Sequence, residues 1–261
     1  MAAQYELLKE LLNSGTKLGF GQEMFYKFYQ AFILKDRWLQ YIGGVGTTLL
    51  VTAIALALGI VLGSVVALVR VAHDQQRPNH KNPVLGFFNA VCQVYTTIIR
   101  GTPMMVQLLI MSMVIFASSR NFTMVGALAL GINSGAYVSE IIRGGLMAVD
   151  PGQMEAGRSL GLSRLQAAWH IVLPQAMKNI LPAIGNEMIA LLKETSIISM
   201  VGATVGSLTF DLNAASNTVF RKIPNYLASG LIAGVFYLAV VYLMVFLIKL
   251  IEKRMKASDK R

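Results

Sequence analysis

Long apolar stretches without charged residues dominate the chain. The two longest run over residues 41–69 and 223–248. Shorter ones lie between them, at 82–99, 101–119, 121–139 and 195–210. A helix needs about 20 residues to cross the roughly 30 Å hydrocarbon layer of a bilayer, so each of the two longest stretches can span it. The pattern therefore predicts helices that cross a membrane rather than helices that surround a water-facing core.

These stretches predict five spans, at about 42–69, 84–117, 122–147, 176–206 and 226–250. The second is predicted as one long helix that enters the membrane obliquely and breaks at Thr102, because Pro103 lacks a backbone donor and disfavours helix at the preceding residue. Glu187 lies within the fourth span, where a charged residue by default marks a transport path. Arg143 instead fits a side chain that snorkels from a span end to the interface.

Composition narrows the class of protein. Only 14% of the residues are charged, 55% are hydrophobic, and the mean hydropathy is +0.57. Soluble domains carry about 25% charged residues, so this chain has too few to cover a water-facing globule, and its apolar content excludes disorder. Cys92 is the single cysteine, which excludes an internal disulfide, and no Cys or His cluster predicts a metal site. The chain is therefore predicted to be an all-α integral membrane protein.

Basic residues indicate how the spans are oriented. They concentrate in segments 70–81, 143–178 and 249–261, which fall on one side if five spans alternate in direction. The positive-inside rule then predicts an outer N-terminus and a cytoplasmic C-terminus. The net charge of +10 is thus mostly a topology signal and a match to anionic lipid headgroups. Nucleic-acid binding is the rival explanation of a pI near 9.8, and nothing else in the sequence supports it.

The first 40 residues form a separate segment. They show no basic start, no apolar core of the usual length and no small-residue cleavage site, so a signal peptide is not expected. Aromatic residues mix with lysine and arginine over 20–41, which is typical of the headgroup layer. A helix along the outer face and a helix packed on neighbouring spans both fit, and the two are compatible. The predicted domains are residues 1–40, a transmembrane domain over 41–253 and a basic cytoplasmic tail over 254–261.

The loop between the third and fourth predicted spans, residues 150–174, carries the most informative local signals. Asp150 caps a helix that starts with proline, and Gly161 can close that helix in a left-handed conformation. Ser163 then begins a second capped helix, which Pro174 is expected to end. The two helices offer an apolar surface made of Leu160, Leu162, Leu165, Trp169, Ile171 and Leu173. From the residues alone, docking into a partner's groove and packing under the spans fit this surface equally well.

Within this loop, the order EAG-x3-G-x9-IVLP begins at Glu155 and ends at Pro174. It closely resembles the EAA loop of ABC-importer permeases, with Gly157 where that pattern has alanine. Glycine there is expected to loosen the first helix by up to about 1 kcal/mol. Further stretches are similar to signatures of the polar amino acid uptake branch, at 100–108, 136–145, 174–176, 186–187 and 191–196. The resemblance covers about 42–253 and points to an amino acid permease.

The resemblance implies a type I ABC importer permease fold, with five transmembrane helices and a cytoplasmic EAA loop that enters a cleft of an ATPase. Such permeases lie in the bacterial cytoplasmic (inner) membrane and pair as homo- or heterodimers. They work with two cytoplasmic ATPase subunits and an extracytoplasmic amino-acid-binding protein. The sequence agrees on one point, because it contains no GxxxxGK[ST] phosphate-binding loop. The chain is therefore expected to be no enzyme and to need no cofactor itself, with ATP and magnesium bound by the ATPase partner.

The resemblance also implies two sets of candidate residues. The set for coupling to the ATPase is Glu155, Ala156, Gly157, Gly161, Leu162 and Leu165. The set for the substrate pathway is Gly101, Thr102, Asn186, Glu187, Thr195 and Ser196. A zwitterionic amino acid needs an acid or carbonyls for its ammonium group and donors for its carboxylate, and broken helices at membrane depth commonly line binding sites. Because the motifs at 186–187 and 193–196 recur across the branch whatever the substrate, gating and packing stay open as their roles.

Two other classes of membrane protein compete with this interpretation. A stand-alone secondary transporter or channel would use Glu140 and Glu187 as ion sites. Against it stand the lack of a visible inverted repeat and the presence of a loop that fits a partner. A membrane enzyme is disfavoured because the sequence shows no clustered nucleophile, metal-ligand set or phosphate-binding loop.

Overall fold

The structure, a computed structural model, describes residues 1–76, 82–119, 121–201, 211–222 and 226–257. Within these ranges the regular structure is helical throughout, as the sequence predicts. The helices are α1 (Ala2–Asn13), α2 (Phe20–Phe28), α3 (Trp38–Asp74), α4 (Pro83–Gly101), α5 (Met104–Ile110), α6 (Phe122–Met147), α7 (Pro151–Ser159), α8 (Arg164–Ala167), α9 (Leu173–Glu194), α10 (Leu212–Lys222) and α11 (Tyr226–Ala257). Short π-helical or 3-10 turns lie at Tyr29–Ile33, Leu34–Asp36, Met111–Ile115, Ala168–Val172 and Thr195–Val201.

Among the described residues, α3, α6 and the Leu227–Met255 part of α11 are long and apolar enough to cross a membrane. A fourth candidate is the broken pair Pro83–Gly101 and Met104–Ile115, which is bent by 108°. The predicted break is therefore confirmed, and it divides this segment into two helices. Its oblique entry into the membrane stays a prediction. Thr102 has extended backbone angles, and Pro103 cannot donate the hydrogen bond that would carry the helix across, so the chain turns through more than a right angle.

The fourth predicted span, 176–206, corresponds to α9 and the 3-10 turn that follows it, while 202–206 lie outside the described residues. α9 is helical as predicted and begins at Leu173. Polar side chains such as Lys178, Asn186 and Glu187 keep it from qualifying as a span by composition. The predicted count of five spans is therefore approximate. α11 continues to Ala257, into the predicted tail, and 258–261 lie outside the described residues.

α3 and α6 form the most extensive helix pair, and small residues bring their backbones close together. A Cβ atom at Gly59 would lie 2.8 Å from Ser134 Oγ, and one at Gly63 would lie 2.8 Å from Val138 Cβ. Membrane helices commonly pack in this way, because lipid tails give no hydrophobic drive and close van der Waals contact must replace it. α6 also contacts α4, α5 and α9, so it lies at the centre of the elements that carry the candidate site.

The N-terminal helices α1 and α2 pack on each other through a tyrosine stack. The ring of Tyr5, which is buried, lies 5.0 Å from that of Tyr26 and 4.6 Å from that of Tyr29. α2 in turn contacts α11. The segment thus contains two helices rather than one, and α2 packs on a neighbouring span. Its position relative to the bilayer stays a prediction.

Candidate functional site

The 150–174 loop is shaped by the local signals that its sequence contains. The Asp150 carboxylate accepts a hydrogen bond from Gly152 N at 2.8 Å and caps α7. Gly161 follows α7 with φ +90°, which confirms the left-handed turn. Ser163 Oγ accepts from Gln166 N at 3.2 Å, while Gln166 Oε1 accepts from Ser163 N at 2.9 Å. This reciprocal pair confirms the second cap, and both helix starts are stabilised without help from the rest of the protein.

The prediction that Pro174 ends the second helix is wrong. α8 runs through the π-helical turn Ala168–Val172 directly into α9, in which Pro174 is the second residue. A proline is tolerated in the first turn of a helix, where its missing donor would have no partner anyway. The π-helical turn restarts the hydrogen-bond register just ahead of the proline. The loop is therefore continuous with α9 along one helical path.

The apolar surface of the loop divides into two halves. Leu160, Leu165 and Trp169 are 84%, 79% and 65% exposed. Leu162, Ile171 and Leu173 are instead half-buried. The inner residues thus pack within the protein, as one of the two interpretations predicts. The outer residues are exposed, and their docking on a partner stays a prediction. Three large exposed apolar side chains within ten residues are typical of an interaction surface.

Gly157 is buried where α7 meets the second helix of the loop. A Cβ atom at this position would lie 2.7 Å from Ile171 Cδ1 and 3.1 Å from Ala167 Cβ. The glycine therefore lets the two helices approach each other, a role that helix propensity alone does not indicate. Of the other predicted coupling residues, Glu155, Ala156 and Gly161 are exposed.

A cluster of charged residues lies where α3, α4 and α6 meet, and is called the arginine cluster below. The carboxylate of Glu140 pairs with Arg70 of α3, with Arg143 Nη2 at 3.2 Å, and with Arg100 Nη1 at 4.0 Å. Arg143 also lies 3.9 Å from Asp74 at the end of α3. The prediction that Arg143 simply snorkels is therefore incomplete, because its side chain pairs with Glu140 on its own helix and with Asp74 on α3.

The loop is seated on the end of α3 beside this cluster. Arg164 Nη2 donates a hydrogen bond to Gln75 Oε1 at 3.2 Å. A cavity of about 560 Å³ lies between the loop and the end of α3, and Asp74, Glu155 and Arg158 are among the residues that line it. Since Gln75 follows α3 and Arg164 begins α8, the loop contacts the end of the first span through polar groups rather than through its exposed apolar surface.

At the helix break, residues 101–103, one amide side chain replaces the missing helical hydrogen bonds. Gln107 Nε2 donates to the carbonyl of Ile99 at 2.7 Å, and to Thr102 at its carbonyl at 3.1 Å and its hydroxyl at 2.8 Å. Gln107 Oε1 accepts from Asn133 Nδ2 at 2.9 Å, which ties the break to α6. The carbonyl of Thr102, a predicted pathway residue, is therefore already engaged by Gln107. A largely apolar cavity of about 270 Å³ adjoins it, with Ile98 and Ile110 in its wall.

Sequence reasoning missed Gln107 and Asn133 as site residues. The signal that could have found them is an uncharged amide inside an otherwise apolar stretch, one turn after a proline in the case of Gln107. An amide side chain within an apolar span needs partners, and carbonyls freed by the proline are nearby.

The remaining pathway candidates lie on α9 and the turn after it. Glu187 Oε1 accepts from Ser134 Oγ of α6 at 2.8 Å, and Asn186 is exposed. Thr195 and Ser196 donate their hydroxyls to carbonyls of the preceding turn, at 2.8 and 2.7 Å, and Thr195 is buried. The structure therefore separates the six candidates into a break group and an α9 group. On α6, Asn133 reaches the break group through Gln107, and its neighbour Ser134 contacts Glu187 of the α9 group.

Lys193 is exposed on α9, seven residues after Asn186, and Asn179 is exposed seven residues before it. Seven residues correspond to about two helical turns, so these side chains share one face of α9. A polar exposed face on a helix between apolar ones is typical of a water-accessible path rather than of a lipid contact. Asn179 and Lys193 were not among the predicted pathway residues.

Proteins that are similar to this chain in sequence include bacterial permeases. Residues 83–257 match the family described as the binding-protein-dependent transport system inner membrane component. The chain belongs to this family. A glutamine transport system permease protein of Rickettsia conorii is 39% identical over 81% of this chain and 91% of its own length. An arginine transport system permease protein of Bacillus subtilis is 35% identical over 83% and 92%.

A solved structure agrees with these relatives. The crystal structure of an amino acid ABC transporter is 35% identical, with a TM-score of 0.70 over 82% of this chain and 94% of that one. The protein is therefore a permease subunit of an amino acid ABC importer in the bacterial inner membrane, and it has the type I fold. Its role is transport rather than catalysis, so the stand-alone transporter, the channel and the membrane enzyme are set aside.

Proposed function

We propose that the 150–174 loop couples this permease to cytoplasmic ATPase subunits, which bind ATP and magnesium and carry out the hydrolysis. The observation that supports it most is the exposed apolar group of Leu160 after α7, Leu165 on α8 and Trp169 in the turn after α8. Residues that dock into a cleft need a rigid frame, because ordering a flexible loop would oppose binding. Glu155 and Ala156 lie exposed on the same loop and complete the contact, while Gly157 and Leu162 hold its helices together.

The proposed cycle is a rigid-body switch between two states. ATP binding closes the ATPase dimer, and the docked loops carry that movement into α6 and α9, to which the loop is joined at both ends. Two permease subunits, identical or not, enclose the pathway between them. An extracytoplasmic binding protein delivers a polar amino acid when the pair opens outward, and hydrolysis resets the inward-open state.

The proposed pathway combines the exposed face of α9 with the helix break. Glu187 would attract the ammonium group of the substrate, and Asn186 together with the backbone at Gly101 and Thr102 would contact its polar atoms. Thr195 and Ser196 would act by shaping the turn, since their hydroxyls are engaged within it. Relatives are named for glutamine and for arginine transport, which supports a polar amino acid as the substrate.

The proposed orientation has the N-terminal helices outside and the 150–174 loop in the cytoplasm. It is supported by the contact of the loop with Gln75, since the segments 70–83 and 150–174 should share one side. Residues 77–81, 207–210 and 223–225 of the predicted loops lie outside the described residues. Single cysteines in a Cys92→Ser background, probed on intact cells with an impermeant thiol reagent, test it. Label is expected at position 12 and not at 165, and the reverse pattern would overturn the orientation.

The coupling proposal is tested by Leu165→Asp, with Leu7→Asp as matched control because Leu7 is also an exposed leucine on a helix. Leu165→Asp is expected to remove the ATPase from the purified complex and to abolish ATP-driven uptake, while the permease still inserts. Leu7→Asp should retain both. The isolated permease should hydrolyse no ATP. Retention of the ATPase by Leu165→Asp, or ATP turnover by the pure permease, would show the proposal to be wrong.

A further inference from the structure

We propose that Glu140 is a positioning residue that transmits movement of the 150–174 loop to the helix break at 101–103. The inference rests on the proposed coupling role of the loop and adds a route from it to the pathway. Its basis is that the Glu140 carboxylate forms ion pairs with arginines of α3, α4 and α6. These helices connect to the loop on one side and to the break on the other.

The Glu140 contacts differ in their exposure to water. The side chains of Arg70 and Glu140 are only 15% and 23% exposed, whereas that of Arg100 is 45% exposed. The ion pair between Glu140 and Arg70 is therefore the stronger link between α3 and α6, since ion pairs are screened less where water is excluded. The pair with Arg100, at 4.0 Å, is looser and can change length when the helices move.

On the side of the loop, two connections reach the arginine cluster. α6, which carries Glu140 and Arg143, ends at Met147, and Asp150 opens the loop directly afterwards. The second connection is made by side chains, from Arg164 to Gln75 at 3.2 Å and from the neighbouring Asp74 to Arg143 at 3.9 Å. A displacement of the loop therefore pulls on α6 through the chain and on the end of α3 through Arg164.

On the side of the break, Arg100 is the last residue but one of α4. Its guanidinium lies over the ring of Tyr137, 5.3 Å from the ring centre, so α6 holds it by a cation–π contact as well as by Glu140. The 108° bend follows at once, and Gln107 closes it from the other side. A bend fastened on α6 at both ends must change when α6 moves relative to α4.

The net contribution of such a cluster to stability is small, because the loss of hydration offsets the attraction between the charges. What the cluster does instead is fix the relative placement of three helices. If Glu140 loses its charge, Arg70, Arg100 and Arg143 repel one another, and Arg100 keeps only its cation–π contact with Tyr137 of α6. The loop would then still bind and move with the ATPase, but the break would no longer follow it.

The test uses the full complex with ATPase and binding protein in proteoliposomes, and compares Glu140→Gln with Glu10→Gln. Glu10 is an exposed carboxylate of α1 and serves as the matched control. For Glu140→Gln we expect the ATPase to stay bound and basal ATP turnover to stay near wild type. The amount of amino acid imported per ATP should fall at least about fivefold, a loss within the usual range of coupling energies. Glu10→Gln should keep the wild-type ratio.

A double-mutant cycle separates positioning from simple damage to the fold. Arg100→Gln alone should lower the import-to-ATP ratio, and Arg100→Gln combined with Glu140→Gln should be no worse than Glu140→Gln alone, since both act on one contact. Arg70→Lys, which keeps the charge, should retain most of the coupling. An unchanged ratio in Glu140→Gln, or a loss that only follows the amount of folded complex, would overturn the inference. If the ATPase does not bind the wild-type loop at all, the proposed coupling function of the loop is wrong, and the role of Glu140 that rests on it is wrong as well.

Discussion

The two ends of the helix bundle are held together in different ways. α3, with 37 residues, is about 55 Å long and reaches from one end to the other. At the loop end, its last turns meet the arginine cluster and the 150–174 loop, where charges are paired between helices. At the opposite end, its first turns meet α10, α11 and the ring of Phe32, which lies in the π-helical turn after α2.

Polar groups at the opposite end are buried and bond to the backbone rather than to opposite charges, as where Ala214 N donates to Asp211 Oδ1 at 2.8 Å. Asp211 is 2% exposed, and its Oδ2 has no hydrogen-bond partner among the described residues. A Cβ atom at Gly44 would lie 2.8 Å from Leu212 Cα, so the start of α10 lies directly on α3. Dry, close packing resists rearrangement, whereas partly hydrated ion pairs can be exchanged at little free-energy cost. The loop end is therefore suited to movement, and the opposite end to holding the helices in place.

The largest difference between the ends is expected for glycine-to-proline changes. Gly161 and Gly15 both have positive φ, +90° and +81°, and a Cβ atom would meet nothing within 4 Å at either. Proline cannot adopt positive φ, so each change redirects the helix that follows. Gly161→Pro should abolish uptake while the permease still inserts, and Gly15→Pro should leave most uptake intact. Uptake is measured in cells and divided by the amount of permease in the membrane, which is determined by blotting. Equal losses of uptake in both variants would contradict the difference proposed between the two ends.

The next effect concerns the pH dependence of stability at the opposite end. Burial raises the pKa of Asp211 from 3.8 to about 7, although the N–H groups of Ala214 and Asn213 lower it. Between these two values the unfolded chain loses the proton first, so this carboxyl makes the folded state less stable as pH rises from about 4 to 7. Asp211→Asn keeps an acceptor for Ala214 N and removes that loss of stability, which is at most about 4 kcal/mol.

Thermal unfolding of the reconstituted protein at pH 5 and pH 8 measures the change. The wild type should lose more stability between the two values than the variant does. If Asp211→Asn retains the full wild-type pH dependence, then the buried carboxyl is not its source.

A smaller effect is expected at the helix break, between the two ends. Gln107→Leu removes the donor to Ile99 and Thr102 and leaves Asn133 without its acceptor. The loss of stability should be about 1–3 kcal/mol, because buried polar groups lose their partners. Gln22→Leu removes one exposed hydrogen bond, to Gly19 N, and should cost less than about 1 kcal/mol. Denaturation in lipid nanodiscs tests both, and a Gln107→Leu variant as stable as the control would contradict the role of Gln107.

The smallest effect is expected for the cap of α8. Ser163→Ala removes the acceptor for Gln166 N and should destabilise the loop by about 1 kcal/mol, while Ser163→Asp restores it. Affinity for the ATPase should fall slightly in the first variant and return in the second. Titration of the reconstituted permease with the ATPase would measure it, and an affinity that is the same in all three proteins would mean that the cap does not order the docking surface.

The sequence predicts the features that form within a few residues of one another, and it misses those that depend on contacts between distant helices. Signals that act over four residues, such as Asp150 with Gly152 and Ser163 with Gln166, were predicted correctly, because each is satisfied locally. The long apolar spans were found for a similar reason, since length and composition suffice. The 108° bend, the partners of Gln107 and the role of Gly157 depend on α6 and on the second loop helix, so no local pattern contains them.

Photo-crosslinking at the two ends tests the central claim, that the 150–174 loop is the surface on which the ATPase docks. A photoreactive amino acid replaces Leu165 or, in the matched protein, Leu7, which are 79% and 57% exposed. Irradiation of the assembled complex should join position 165 to the ATPase and should give no ATPase adduct at position 7. An adduct at position 7 with none at position 165 would show that the permease is coupled to its motor through another surface.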